Sequence, residues 1–126
     1  MKMNAKRLIL AAGVVLALGA KAVDTFHFAL TRSVPAADAT VPSPAEVRLW
    51  FTEPATDNSV SIRLVNASGT ALDTPAATRD EADAKVYAIA LARPVPAGRY
   101  TVAWRGIGDD GHVVQGEFAF TVRAAE

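Results

Sequence analysis

Four stretches of the chain alternate apolar and polar residues with a period of two, and this pattern constrains the fold more than any other feature. In "EVRLWFT", Val47, Leu49 and Phe51 fall on one face and Arg48, Trp50 and Thr52 on the other. In "SVSIRLV", Val60, Ile62 and Leu64 oppose Ser61 and Arg63. In "RYTVAWR", Tyr100, Val102 and Trp104 oppose Thr101, Ala103 and Arg105. In "GEFAFTV", Phe118, Phe120 and Val122 oppose Glu117, Ala119 and Thr121. Successive side chains of a strand point to opposite faces, so each stretch reads as a strand with one face on a core. "KVYAIAL" reads as a more buried strand around Val86 to Leu91, and "HFALTRS", His27 to Ser33, as an earlier one.

The segments between them carry turn chemistry. "VPAADATVPSP" holds three prolines and is excluded from the centre of a sheet, so it reads as a long loop or crossover. "NASGT" and "PVPAG" read as turns, and "TPAATRDEAD", Thr74 to Asp83, as loop. The expected fold is all-β: an Ig-like Greek-key sandwich or barrel of about seven antiparallel strands. "PAGRYTV" has the form of a tyrosine corner, in which a Tyr hydroxyl bonds back to nearby backbone in such sandwiches.

The start of the chain stands apart from this pattern. Lys2, Lys6 and Arg7 precede "LILAAGVVLALGA", an apolar run from Leu8 to Ala20. A basic start and a short apolar run make a secretory signal, and the run is shorter than the roughly 20 residues a membrane span needs. Ala20 and Ala22 in "AKA" suit a peptidase that cuts before Val23. The expected organisation is a cleaved signal peptide over residues 1–22 and one domain over residues 23–126, exported and not held in the membrane after cleavage.

Charge and cysteine content narrow the function classes. The formal net charge is zero, but Lys2, Lys6, Arg7 and Lys21 leave with the signal and no acidic residue does, so the remaining domain is acidic. An acidic domain is a poor partner for nucleic acid or anionic lipid and a better one for cations. The chain has no cysteine, and its two methionines, Met1 and Met3, fall in the signal. Thiolate metal sites and thiol catalysis are thereby excluded, and the mature domain offers a metal no sulfur. With no disulfide, the domain is held by its core, which about 100 residues can build. No G-x-S-x-G elbow and no phosphate-binding glycine loop occurs. No enzymatic activity is expected.

The chemistry-bearing residues concentrate in "GDDGHVV". Asp110 and His112 are two apart, and on extended chain such residues share a face roughly 7 Å apart, so both can turn toward one ion. Gly111 lets the turn close. The same residues also suit an ordinary D-G turn followed by a surface histidine, so the spacing alone leaves both readings open. His27 is the only other histidine. A first strand lying near the final hairpin would bring it toward His112.

Two ordered blocks then carry a family resemblance across nearly the whole mature chain. "SVPAADATVPSPAEVRLWFTEP", Ser33 to Pro54, and "PVPAGRYTVAWRGIGDDGHVVQGEFAFTV", Pro94 to Val122, resemble the opening and closing motifs of CopC-type periplasmic copper-resistance proteins. The resemblance implies a Greek-key β-sandwich with a Cu(II) site. It places His27 at the family's N-terminal histidine, which binds copper through its α-amine and imidazole together. Asp110 and His112 fall on the family's D-x-H, and Glu53 on the carboxylate of its F-S/T-E motif. Nitrogen and carboxylate donors suit Cu(II). Two departures stand out. The methionine-rich loop that some members use for Cu(I) is absent. A cut before Val23 also leaves "VDTF" ahead of His27, making its backbone nitrogen an amide rather than an amine.

The expected function is therefore a periplasmic Cu(II)-binding protein that stores or delivers copper. The competing reading is a non-catalytic β-sandwich module that binds metal weakly and docks to a membrane copper transporter of the CopD type. A copper oxygenase built on a free N-terminal histidine is disfavoured by those four preceding residues.

Overall fold

The computed structural model describes residues 27–125, and the expected signal peptide lies outside them. The chain runs through eight strands: β1 Leu30–Val34, β2 Thr40–Val41, β3 Glu46–Phe51, β4 Ser61–Val65, β5 Thr78–Arg79, β6 Val86–Ala90, β7 Gly98–Ile107 and β8 Val113–Val122. They form two four-stranded sheets, ordered β1-β3-β6-β5 and β2-β8-β7-β4. The all-β expectation holds among the described residues.

The period-two alternation explains how the sheets close on one another. Inward residues meet across the ladders: Leu49 faces Tyr87, Val47 faces Ile89, Leu64 faces Val102, and Tyr100 faces Phe120. Val47, Leu49, Leu64, Val102 and Phe120 lose all contact with solvent, and residues of both sheets make one core. Val60 and Phe118, also expected to face inward, are partly buried against it. Burying a side chain of this size contributes roughly 1.5–3 kcal/mol. The tyrosine corner is present: the Tyr100 hydroxyl donates to the Pro96 carbonyl at 2.7 Å.

Three local details differ from the sequence reading. The proline-rich segment contains β2, which pairs in parallel with β8 through Thr40–Thr121 and Val41–Val122, so the pairing is not wholly antiparallel. Its prolines flank this two-residue edge strand instead of entering it, as a missing N–H requires. The Thr74–Asp83 segment contains β5, held to β6 and fixed by Arg79, which donates to the Tyr87 hydroxyl, Asp57 and the Ala55 carbonyl. The first strand begins at Leu30, beyond His27, and pairs with β3, in the sheet that does not hold the final hairpin.

The two tryptophans occupy different environments. Trp104 is buried and meets the Phe51 ring edge-on at 5.3 Å. Trp50 is half-buried on the outer face of its sheet, with the Arg32 guanidinium 4.1 Å from its ring centroid.

Candidate metal centre

The β7–β8 hairpin presents Asp110 and His112 at its tip. The Gly108 N–H donates to the His112 carbonyl at 3.1 Å, and the Gly111 N–H donates to the Gly108 carbonyl at 3.0 Å. Gly111 has φ +83°, a left-handed conformation that residues with a Cβ rarely adopt. Asp110 turns Oδ1 back into the loop, where it accepts the His112 backbone N–H at 3.0 Å. Its other oxygen, Oδ2, lies 3.2 Å from His112 Nδ1.

His27 reaches the same oxygen from the far end of the sequence, with its Nδ1 3.5 Å from Asp110 Oδ2. Two attachments bring it there. Phe28 is buried and stacked on Phe51, with centroids 4.5 Å apart and planes at 18°. The slot for its ring is cut by glycine: a Cβ at Gly106 would lie 3.0 Å from the ring, and one at Gly108 would lie 2.9 Å from Phe28 Cβ. Thr52, just past β3, supplies the second attachment. Its hydroxyl donates to the His27 carbonyl and accepts the Ala29 N–H, both at 3.0 Å, while its own N–H donates to the Ala29 carbonyl at 2.9 Å.

Glu53 follows Thr52 and is half-buried. Its Oε2 would stand 3.2 Å from a Cβ on Gly108, and Asp110 Oδ1 would stand 3.4 Å from the same point. The two carboxylates thus come close to one glycine from its Cβ side. All four expected site residues, His27, Glu53, Asp110 and His112, lie at this end of the sandwich. His27 arrives by its attachment to the end of β3, not by pairing of the first strand beside the final hairpin.

The electrostatics favour an ionised Asp110. The His112 backbone N–H is the main cause holding its carboxyl below the usual carboxylate range, and the two nearby imidazoles add to the effect. The side chains of His27, Asp110 and His112 are 56%, 44% and 76% exposed, so an ion can reach all three from solvent. Among the described residues, no three or more histidine or acidic side chains already form a closed metal-binding cluster. Two nitrogen or oxygen donors bound at right angles to a small divalent ion stand roughly 2.8 Å apart, given bonds of about 2 Å. The separations around Asp110 Oδ2, 3.2 and 3.5 Å, are longer than this. Two imidazoles and a carboxylate, with no sulfur, suit Cu(II) better than Cu(I).

The sequence reading did not single out Phe28, Thr52, Gly106 or Gly108 for this site. A signal for the glycines was present in "RGIGDDG", where alternate glycines on a strand leave room for a ring from elsewhere. Nothing local marks Thr52 as the residue that holds His27, because its partners lie more than twenty positions away.

Known proteins share this architecture. Residues 30–123 match the profile of the CopC domain. Copper resistance protein C of Escherichia coli is 32% identical over 121 residues, which is 91% of this chain and 94% of that protein. The crystal structure of PcoC, a methionine-rich copper resistance protein from Escherichia coli, aligns with a TM-score of 0.70 at 31% identity, covering 77% of this chain and 99% of that one. The copper transport protein CutJ of Bacillus subtilis is 26% identical over 101 residues, covering 79% of this chain but only 19% of CutJ.

Proposed function

The chain belongs to the CopC family, and from that premise we propose that it is a periplasmic Cu(II)-binding protein that stores copper or hands it on. The family is one of copper-resistance proteins and not of enzymes, and its chemistry is copper chemistry. The observation that carries the finer reading is the single carboxylate oxygen, Asp110 Oδ2, that faces Nδ1 of both His27 and His112. In this reading His27, Asp110 and His112 bind the ion. Glu53 stands beside Asp110 as a second carboxylate that adds negative charge or a further oxygen donor.

Copper is the cargo and not a resident cofactor. An exposed donor set suits that role, since an ion that is passed on must be reachable by the next ligand. The periplasmic location rests on the basic, apolar leader in residues 1–22, and the exported domain is read as residues 23–126. Intact-mass measurement of protein recovered from the periplasm tests both. Titration with Cu(II), followed by d–d absorbance and by EPR, tests the site. Nitrogen hyperfine structure that is lost on His112→Ala supports it, and an unchanged spectrum rejects it.

The second reading, a module that docks to a membrane copper transporter of the CopD type, has one observation in its favour. In CutJ the matching segment is a minor part of a longer copper transport protein, so a domain of this kind can work beside transport machinery. Weak Cu(II) binding together with retained transporter association would favour it.

A further inference from the structure

His27 is exposed, and a side chain like that has no packing of its own to fix its direction. Its position is inherited from the backbone that follows it. On the C-terminal side, Phe28 is locked into the glycine slot against Phe51. On the carbonyl side, one hydroxyl performs two tasks: Thr52 Oγ1 donates to the His27 carbonyl and accepts the Ala29 N–H. This bridge spans residues 27 to 29 and ties them to the residue that follows β3. Next in sequence is Glu53, whose carboxylate, like that of Asp110, comes close to Gly108. Thr52 thus couples the His27 segment to the carboxylate end of the site without touching the ion.

All of these attachments are made by atoms at or after the His27 carbonyl. None uses the His27 backbone nitrogen, and so none depends on whether that nitrogen is a free amine or an amide. We propose that Thr52 is the positioning residue of the copper site, delivering the His27 imidazole to Asp110 through the internal backbone, so that His27 ligates even with "VDTF" still attached ahead of it. The site so formed is imidazole–carboxylate–imidazole, and the α-amine of a brace is dispensable. This inference rests on the Cu(II) reading above.

The choice of variant follows from the hydrogen bonds. Thr52→Val keeps the shape and the backbone N–H bond to the Ala29 carbonyl, but removes both hydroxyl bonds. The strand therefore stays attached at Ala29 while the His27 carbonyl is released. Thr52→Ser restores the hydroxyl. The protein is purified as the host processes it, its N-terminus is fixed by intact mass, and Cu(II) is added to the wild type and to each variant.

With residues still preceding His27, the wild type should show nitrogen hyperfine coupling from two imidazoles. Thr52→Val should lose one of them and bind Cu(II) about tenfold more weakly, at the lower end of what loss of an outer-shell contact costs. Thr52→Ser should recover both nitrogens. In a His27→Ala background, Thr52→Val should change the affinity no further, because a residue that acts through His27 has nothing left to position. Thermal unfolding identifies any variant that has lost the fold, and the Ser variant and the double variant then carry the test. A Thr52→Val protein that is folded and keeps the wild-type spectrum overturns the proposal. So does an additive loss in the double variant. If His112→Ala leaves Cu(II) binding unchanged, the copper reading itself fails, an outcome separate from either of these. A wild type that shows His27 coupling only after the preceding residues are removed would restore the brace and overturn this inference alone.

Discussion

Phe28 lies nearly flat on Phe51, ring to ring at 4.5 Å, so the residue next to His27 is anchored in the core while His27 itself stands in solvent. The candidate site is therefore an exposed set of side chains on a buried mount. Substitutions that touch donors and substitutions that touch the mount should have separable effects on binding and stability.

His112→Ala should remove most Cu(II) binding and leave the unfolding transition close to that of the wild type. The side chain is 76% exposed and the turn is held by backbone bonds that survive the change. Asp110→Asn should weaken binding less, because a neutral oxygen replaces an anionic one in a similar position. Isothermal titration with Cu(II) and a thermal melt of each variant check both halves.

Gly108→Ala should damage the mount. A Cβ there would stand 2.9 Å from Phe28 Cβ, an atom that cannot retreat without moving the backbone beside His27. Overpacking of this kind costs roughly 1–3 kcal/mol. Copper affinity should fall along with stability. Chemical denaturation measures the first loss, and a chelator competition assay measures the second.

Copper affinity should decline as pH drops from 7 to 5. An imidazole binds metal only when neutral, so protons compete with the ion for it. Asp110 should contribute nothing to this decline, since its carboxyl is held below the usual range by the His112 backbone N–H and stays ionised. A group with a lowered folded pKa stabilises the protein above its unfolded pKa and loses that contribution as pH falls through the folded value. Any stability change from Asp110 thus belongs in acid, below the window in which binding is lost. Competition titrations at several pH values, with parallel melts, separate the two.

Cu(II) should be preferred over Cu(I). Thiolate and thioether ligands favour Cu(I), and Met1 and Met3 are the only sulfur-bearing residues in the chain. PcoC, described as methionine-rich, differs here. Tight Cu(I) binding under reducing conditions without Cu(II) binding would reverse this expectation.

Trp104→Ala should cost roughly 3–5 kcal/mol, the range for truncating a large buried aromatic. The indole is buried, packs edge-on against Phe51, and covers Gly116 so closely that a Cβ there would meet it at 2.7 Å. Trp50, half-buried beneath Arg32, should cost less. Urea unfolding of the two variants ranks them.

The strands were legible because alternation is a local signal: Val47, Leu49 and Phe51 declare their face without reference to the rest of the chain. The candidate donors were named partly by spacing, which put Asp110 and His112 two apart on one turn but suited an ordinary D-G turn as well, and partly by the family resemblance, which alone named Glu53. What joins His27 to them was not. Thr52 and Gly108 matter through contacts with residues 27–29, which the sequence places far away and the fold places in contact. The short strands β2 and β5 were hidden for a related reason. Each is only two residues long, too short to show a period, and exists because a neighbouring strand offers a free edge.

The parallel pairing of β2 with β8 also bears on when the protein can fold. Thr40 meets Thr121, so one of the first strands to be synthesised finds its partner only when the last is complete. The centre of that sheet is β8 and β7, the two final strands, and β4 finds its partner strand only when β7 arrives. Long-range pairing of this kind slows folding. A nascent chain of this topology can assemble its β1-β3-β6-β5 sheet earlier, but it cannot complete the opposing sheet, and so cannot close the sandwich core, until its C-terminal hairpin emerges.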